Sequence, residues 1–386
     1  MLQAIIKTMP MMVCAILSVL IGLCLLKKWD RPRFSLLLFM LAATCLYGAH
    51  SVFFYHHTKF IPFSDSLYCF CNPAVFPLFL LYIEELTLRQ PNRRWHIVFL
   101  LPSVICFTIV AVLYLLMDHI ETNLFINHYL YNNETSVLTG LAWWQGVAHI
   151  MVRIVFALEI PLVLVIGWRH VNVYNQTIEN YYSNMEGKLL SHVKVMLILF
   201  AVTSLFSFTL NAIGRHFFTH SLWLLAIPSV LFSTLLILIG HKGIHQQFHI
   251  QDIKSEEEEI EGAESEITTP QTLNQNKLSE AIEHLVEGER LFLLPNLKTE
   301  DLAKRLNTNR NYVYQAINIQ MGLSFTKYVN QKRIKYATKL IDENPGAPLT
   351  DISLKSGFSS TSAFYRNFKS FKGCSPSEYQ LRQQQG

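Results

Sequence analysis

The sequence predicts an all-α protein: a seven-helix transmembrane bundle followed by a cytoplasmic domain built of two helix-turn-helix units. Three observations lead there. Seven long apolar segments occupy most of residues 9–240. The chain is 51% hydrophobic with a mean hydropathy of +0.26, more apolar than water-soluble globules run. The last quarter is hydrophilic, and it twice repeats a short helix, a polar or glycine break and a second helix with one apolar face.

The apolar segments are Met9–Leu26, Phe34–Tyr55, Leu67–Ile83, Trp95–Met117, Leu141–Trp168, Ser191–Gly214 and Ser221–Gly240. A helix of about 20 apolar residues crosses a hydrocarbon layer. The third is the weakest, because Pro73 and Pro77 interrupt a short run. The first is followed by Lys27, Lys28 and Arg31 rather than a small-residue cleavage site, as a retained anchor requires. Lys and Arg concentrate in the first, third and fifth loops, whereas the loop Asp118–Gly140 contains neither. By the positive-inside rule the N-terminus lies outside and the C-terminus in the cytoplasm.

Polar residues within the spans are few. His149, Arg153 and Glu159 on the fifth helix are candidate ligand-sensing residues, because a charge at that depth is costly and defaults to a functional role. An interhelical ion pair is the alternative. His50 on the second segment and Asn211 on the sixth are further intramembrane polar groups. The loop Asp118–Gly140, with Phe125, His128, Tyr129 and Tyr131, reads as a ligand mouth or a solvated connector. Seven cysteines, six of them in apolar segments, argue against a disulfide framework, and Cys69 and Cys71 read as buried small hydrophobes. His241, His245 and His249 recur at helical spacing, but no matching Cys or carboxylate joins them. No metal or cofactor is expected.

Charge is strongly partitioned: residues 1–251 carry +5, residues 252–290 carry −9 and residues 291–386 carry +8. The acidic stretch around Glu256–Glu261 reads as a solvated linker. Asn276–Glu289 then forms an amphipathic helix through Leu278, Ile282, Leu285 and Val286.

In the first repeat, Leu302, Ala303 and Leu306 make the apolar face of a helix, and Asn307–Asn309 breaks and caps. The next helix buries Tyr312, Val313, Ala316 and Ile317 and turns Asn311, Tyr314, Gln315 and Asn318 outward. Ser324 caps a connecting helix that ends at Glu343 before Asn344-Pro345-Gly346. In the second repeat a helix from Leu349 closes at Gly357, where a left-handed residue is needed. The final helix packs Phe364, Phe368 and Phe371 inward and leaves Thr361, Ser362, Tyr365, Arg366 and Lys369 outside. Outer faces of Arg, Gln, Asn and hydroxyls match the donor and acceptor edges of the DNA major groove.

This region resembles the DNA-binding domain of AraC-type bacterial transcription regulators. Asp301-Leu302-Ala303, Ser324-Phe325 with Arg333-Ile334, Gly357-Phe358, Phe364 to Arg366 with Phe368-Lys369, and Gly373 to Tyr379 carry the likeness. The resemblance implies two recognition helices in successive major grooves. It places DNA contacts on Arg310, Asn311, Tyr314, Gln315, Thr361, Ser362, Tyr365, Arg366 and Lys369. Ile178–Ser183, in the loop Arg169–Leu190, is similar to a segment of other membrane-bound regulators of that type.

Together these readings divide the chain into a seven-span sensor (1–241), a juxtamembrane and acidic linker (242–275) and a DNA-binding domain (276–386). They imply a regulator in the bacterial inner membrane that answers a small-molecule or membrane signal. Double-stranded DNA and the lipid bilayer are its partners, with a second copy and, for an activator, RNA polymerase. The simplest signal route is mechanical, through the seventh span and residues 241–254. The rival is a transporter or channel-like protein with a regulatory DNA-binding tail. Against it stand the lack of an internal repeat and the scarcity of midplane polar groups. Nor does the chain contain a nucleophile elbow, zinc-protease or P-loop motif, so no enzyme is expected.

Overall fold

The computed structural model describes residues 2–88, 93–213, 222–246 and 275–385. Among these no β-strand forms, and the chain divides into two compact units. One comprises residues 1–172 and 190–254; the other comprises 173–189 and 255–386. The acidic linker and His249 lie outside the described residues, as does the Asn211 side chain.

The first unit contains α1 (Leu2–Lys27), α2 (Arg31–Phe54), α3 (Ile61–Thr87), α4 (Arg93–Leu116), α5 (His119–Leu124), most of α6 (Gly140–Tyr181), α7 (Ser191–Ile213) and α8 (Leu222–His245). All but α5 are long and apolar enough to cross a membrane. Helix α3 is the hub, packing against α2 and α4, while α1 lies against α2 and α8. It is continuous through Pro73 and Pro77 and is the most buried of the seven, so the span expected to be weakest is the central one. A proline removes one backbone donor, and neighbouring helices in a bundle make that tolerable. The loop Asp118–Gly140 is likewise more ordered than expected: after α5 comes a π-turn, Phe125–Leu130, that buries Phe125, Ile126, Tyr129 and Leu130.

A second difference concerns the loop Arg169–Leu190. Helix α6 continues to Tyr181, and Val173–Leu189 folds with the second unit. The rest of that unit is α9 (Gln275–Gly288), α10 (Thr299–Arg305), α11 (Arg310–Gln315), α12 (Phe325–Glu343), α13 (Leu349–Lys355), α14 (Thr361–Lys372) and α15 (Pro376–Gln385). Its two cores are joined by α12. Phe325, Tyr328 and Val329 sit in a core with Leu278, Ile282, Leu302, Val313 and Ile317. Farther along α12, Ile334, Ala337 and Ile341 sit in the other, with Ile352, Phe358, Phe364 and Phe368.

Gly357 follows α13 with φ +80°, the left-handed conformation that glycine adopts without strain. A Cβ there would lie 2.7 Å from the Leu293 Cα and from the Leu293 and Phe292 carbonyl oxygens. The glycine therefore lets the second repeat approach the backbone of the first.

Candidate nucleic-acid interface

The second helix of each repeat is started by a side chain. Asn309 caps α11, its Oδ1 accepting from Tyr312 N at 3.1 Å. Ser360 caps α14, its Oγ accepting from Ala363 N at 3.1 Å. Helix α11 runs into a π-turn, Ala316–Gln320, with Val313, Ala316 and Ile317 buried. Asn311 and Tyr314 face outward, and Gln315 is half-buried. On α14, Ser362, Arg366 and Lys369 are exposed on the face opposite Phe364 and Phe368, and Thr361 is half-buried.

One expectation needs correction, and two candidate site residues have partners within the unit. Phe371 is 39% exposed, because the tight packing of Phe364 and Phe368 leaves the end of α14 outside the core. Tyr365 is not free on the outer face: its ring meets Phe364 edge-on at 5.8 Å and its hydroxyl bonds Ser377 Oγ at 2.9 Å. Arg310 is drawn inward, with Nη1 3.3 Å from Glu300 Oε1 and its guanidinium 4.2 Å from the centre of the Tyr181 ring.

The contacts around residues 179–188 were not foreseen in the sequence. Tyr182 forms an isolated antiparallel bridge with Lys298, and Ser183 N donates to Leu297 O at 3.0 Å. Thr326 Oγ1 donates to Tyr182 O at 2.5 Å and to Glu179 O at 3.0 Å. The carboxylate of Glu186 accepts from the hydroxyls of Ser359, at 3.1 Å, and Ser360, and Arg366 Nη2 lies 3.9 Å from it. An acidic group thus sits at the N-terminus of α14, where the helix dipole and the first-turn N–H groups favour an anion.

Arg333 joins these parts. It is 2% exposed, and Nε and Nη2 donate to Phe292 O and Leu294 O, each at 2.6 Å. Nη1 reaches Asn330 Oδ1 at 3.1 Å, and Nη2 reaches Ser183 Oγ at 3.2 Å. Burial lowers its pKa to about 10, which leaves it charged at neutral pH. On the same helix, burial alone would lower the Lys332 pKa. Hydrogen bonds to Glu283 and Glu287 more than offset this and raise it.

In the first unit the three candidate sensing residues separate. His149 and Arg153 line one cavity of about 30 Å³ with Tyr129, Tyr68 and Asn72. Glu159 is not among its lining residues: it is buried, its Oε2 has no hydrogen-bond partner, and it stands about 15 Å along α6 from His149. A larger, mostly apolar cavity of about 150 Å³ is lined by Tyr47, His50, Tyr68, Asn72, Phe156 and Phe232, among others. In that set His50 carried a sequence signal, a polar side chain within an apolar run.

Replacing Arg366 with Ala should spare folding and weaken DNA binding by about 1–3 kcal/mol if the guanidinium pairs with a guanine edge. Unchanged affinity in a folded variant would exclude the contact.

Residues 302–382 match the family described as a helix-turn-helix domain. The chain is 38% identical over 84 residues to the Msm operon regulatory protein of Streptococcus mutans, covering 22% of this chain and 30% of that relative. It is 33% identical over 89 residues to the melibiose operon regulatory protein of Escherichia coli K12, covering 23% and 29%. An uncharacterized transcriptional regulator of Bacillus subtilis is 30% identical over 102 residues, covering 26% and 13%. These relatives are regulators rather than enzymes, and the chain spans less than a third of the length of each. No solved structure matches the chain significantly.

Proposed function

We propose that this chain, whose C-terminal domain is of the AraC helix-turn-helix type, is a membrane-bound one-component transcription regulator. Seven helices of sufficient length and apolarity support insertion in a bilayer. The Lys and Arg distribution supports an outside N-terminus and a cytoplasmic C-terminal domain in a bacterial inner membrane. Double-stranded DNA is the target of α11 and α14, read through Asn311, Tyr314, Gln315, Thr361, Ser362, Arg366 and Lys369. Arg310 and Tyr365, each also held by contacts within the unit, complete the set. RNA polymerase and a second copy of the chain are the partners this reading adds.

The observation that carries the reading is the carboxylate of Glu186 at the start of α14. It follows α6, the helix bearing His149 and Arg153, in the chain. A signal that displaces residues 179–188 would free Ser359, Ser360 and Arg366 for a phosphate or base. The input to the DNA-binding units then comes through the end of α6, and the acidic linker sets reach.

Exchanging Glu186 for Gln removes the competing charge and keeps the shape. An exposed pair of this kind contributes about 0.2–1 kcal/mol, so operator affinity should rise up to about fivefold. Fluorescence anisotropy on genomic fragments captured by the intact chain measures it. Equal or weaker binding by the variant would mean that Glu186 is scaffolding and the control lies elsewhere.

A further inference from the structure

We propose that Asp65, Cys69 and His149 form a binding site for one divalent d-block cation of intermediate softness, Zn²⁺ first. Asp65 and Cys69 lie one turn apart on α3, which puts them on one face, and His149 meets them from α6. All three are buried, and their ligand atoms lie within 4.8 Å of one another. Nitrogen, sulfur and carboxylate oxygen form a donor set that zinc accepts, and magnesium and calcium do not favour the first two.

The orientation of the imidazole is the stronger argument. His149 Nδ1 faces the carbonyl oxygen of Gln145 at 2.9 Å. A carbonyl only accepts, so Nδ1 carries a hydrogen, and loss of any proton from Nε2 turns its lone pair toward the other two groups. That lone pair points at Asp65 Oδ2, 2.8 Å away, with Cys69 Sγ at 3.7 Å. A position between an imidazole nitrogen and a carboxylate oxygen is filled by a proton or a metal cation, and the thiol beside it favours the metal. A histidine whose other N–H is held by a backbone carbonyl is the arrangement seen at metal sites. Tyr114 supplies a further outer support, its hydroxyl donating to Asp65 Oδ2 at 2.8 Å.

Tetrahedral bonds of about 2.0–2.3 Å place donors roughly 3.3–3.7 Å apart. The N···S pair already has that spacing, and the N···O pair must open by roughly half an ångström. The cavity lined by His149, Arg153 and Tyr129 adjoins the site and offers the fourth position to water or a small ligand.

The full chain in lipid nanodiscs, stripped with a chelator, tests this by Co²⁺ titration. His241, His245 and His249 are replaced with Ala so that these histidines contribute nothing. One equivalent should bind, with tetrahedral d–d absorption and a thiolate-to-cobalt charge-transfer band. Cys69→Ser should abolish that band, and Cys71→Ser, on the same helix, should leave it intact. Tyr114→Phe should weaken binding about 10–100-fold, the effect typical of an outer-shell partner. No saturable binding would mean that a proton, not a metal, joins His149 to Asp65, and would overturn the proposal. So would a charge-transfer band that survives Cys69→Ser. The readout is occupancy rather than DNA binding, so its failure leaves the regulator reading standing.

Discussion

Arg333→Ala is expected to destabilise the second unit by about 3–5 kcal/mol. The guanidinium makes two short hydrogen bonds, to Phe292 O and Leu294 O, and each bond from a charged donor is worth about 1.5–3 kcal/mol. Relief of the buried charge offsets part of that loss, whereas the stranded carbonyls add to it. Arg333→Lys should fall between, because an ammonium lacks the planar fork that serves both carbonyls together. All six tryptophans lie at or before Trp223, so intrinsic fluorescence does not follow this unit. The urea midpoint for proteolysis of residues 275–385 does. A midpoint within error of the parent would show that the cores are joined by packing alone.

Phe364→Ala should cost about 3–5 kcal/mol through lost burial and the cavity left behind. Its fully buried ring lies 5.5 Å from the rings of both Phe358 and Phe368. A loss of that size is a large share of the stability of an ordinary domain. Phe371→Ala, one turn beyond Phe368 and half out of the core, should change stability by no more than about 0.5 kcal/mol. The same proteolysis midpoint compares the two. Equal losses would show that Phe371 is packed by something other than the core of the second repeat.

The last quarter of the chain was highly legible because its signals are local. The caps Asn309, Ser324 and Ser360, the left-handed Gly357 and the helix end at Glu343 each follow from a few neighbouring residues. The inner and outer faces of α11 and α14 follow largely from period, and Phe371 departs from it where the helix outruns its core. The partners of Arg310 and Tyr365 were not legible for another reason. Tyr181, Glu300 and Ser377 lie 10 or more residues away, and no periodicity records a contact at that distance.

The amino-acid sequence by itself determined that the chain is all helical and that seven helices are long and apolar enough to span a bilayer. It also determined that two helix-turn-helix units follow, because hydrophobic period, length and capping act over one or two turns. Only the tertiary structure decided which residues meet. It made the proline-bearing α3 the hub of the first unit, because packing compensates for a missing backbone donor. It set Asp65, Cys69 and His149 around one point, although 80 residues separate the cysteine from the histidine. It placed Glu186 at the N-terminus of α14, across a sequence separation of 174 residues from Ser360. Such meetings depend on how helices pack, and packing is a property of surfaces that come together only when the chain has folded.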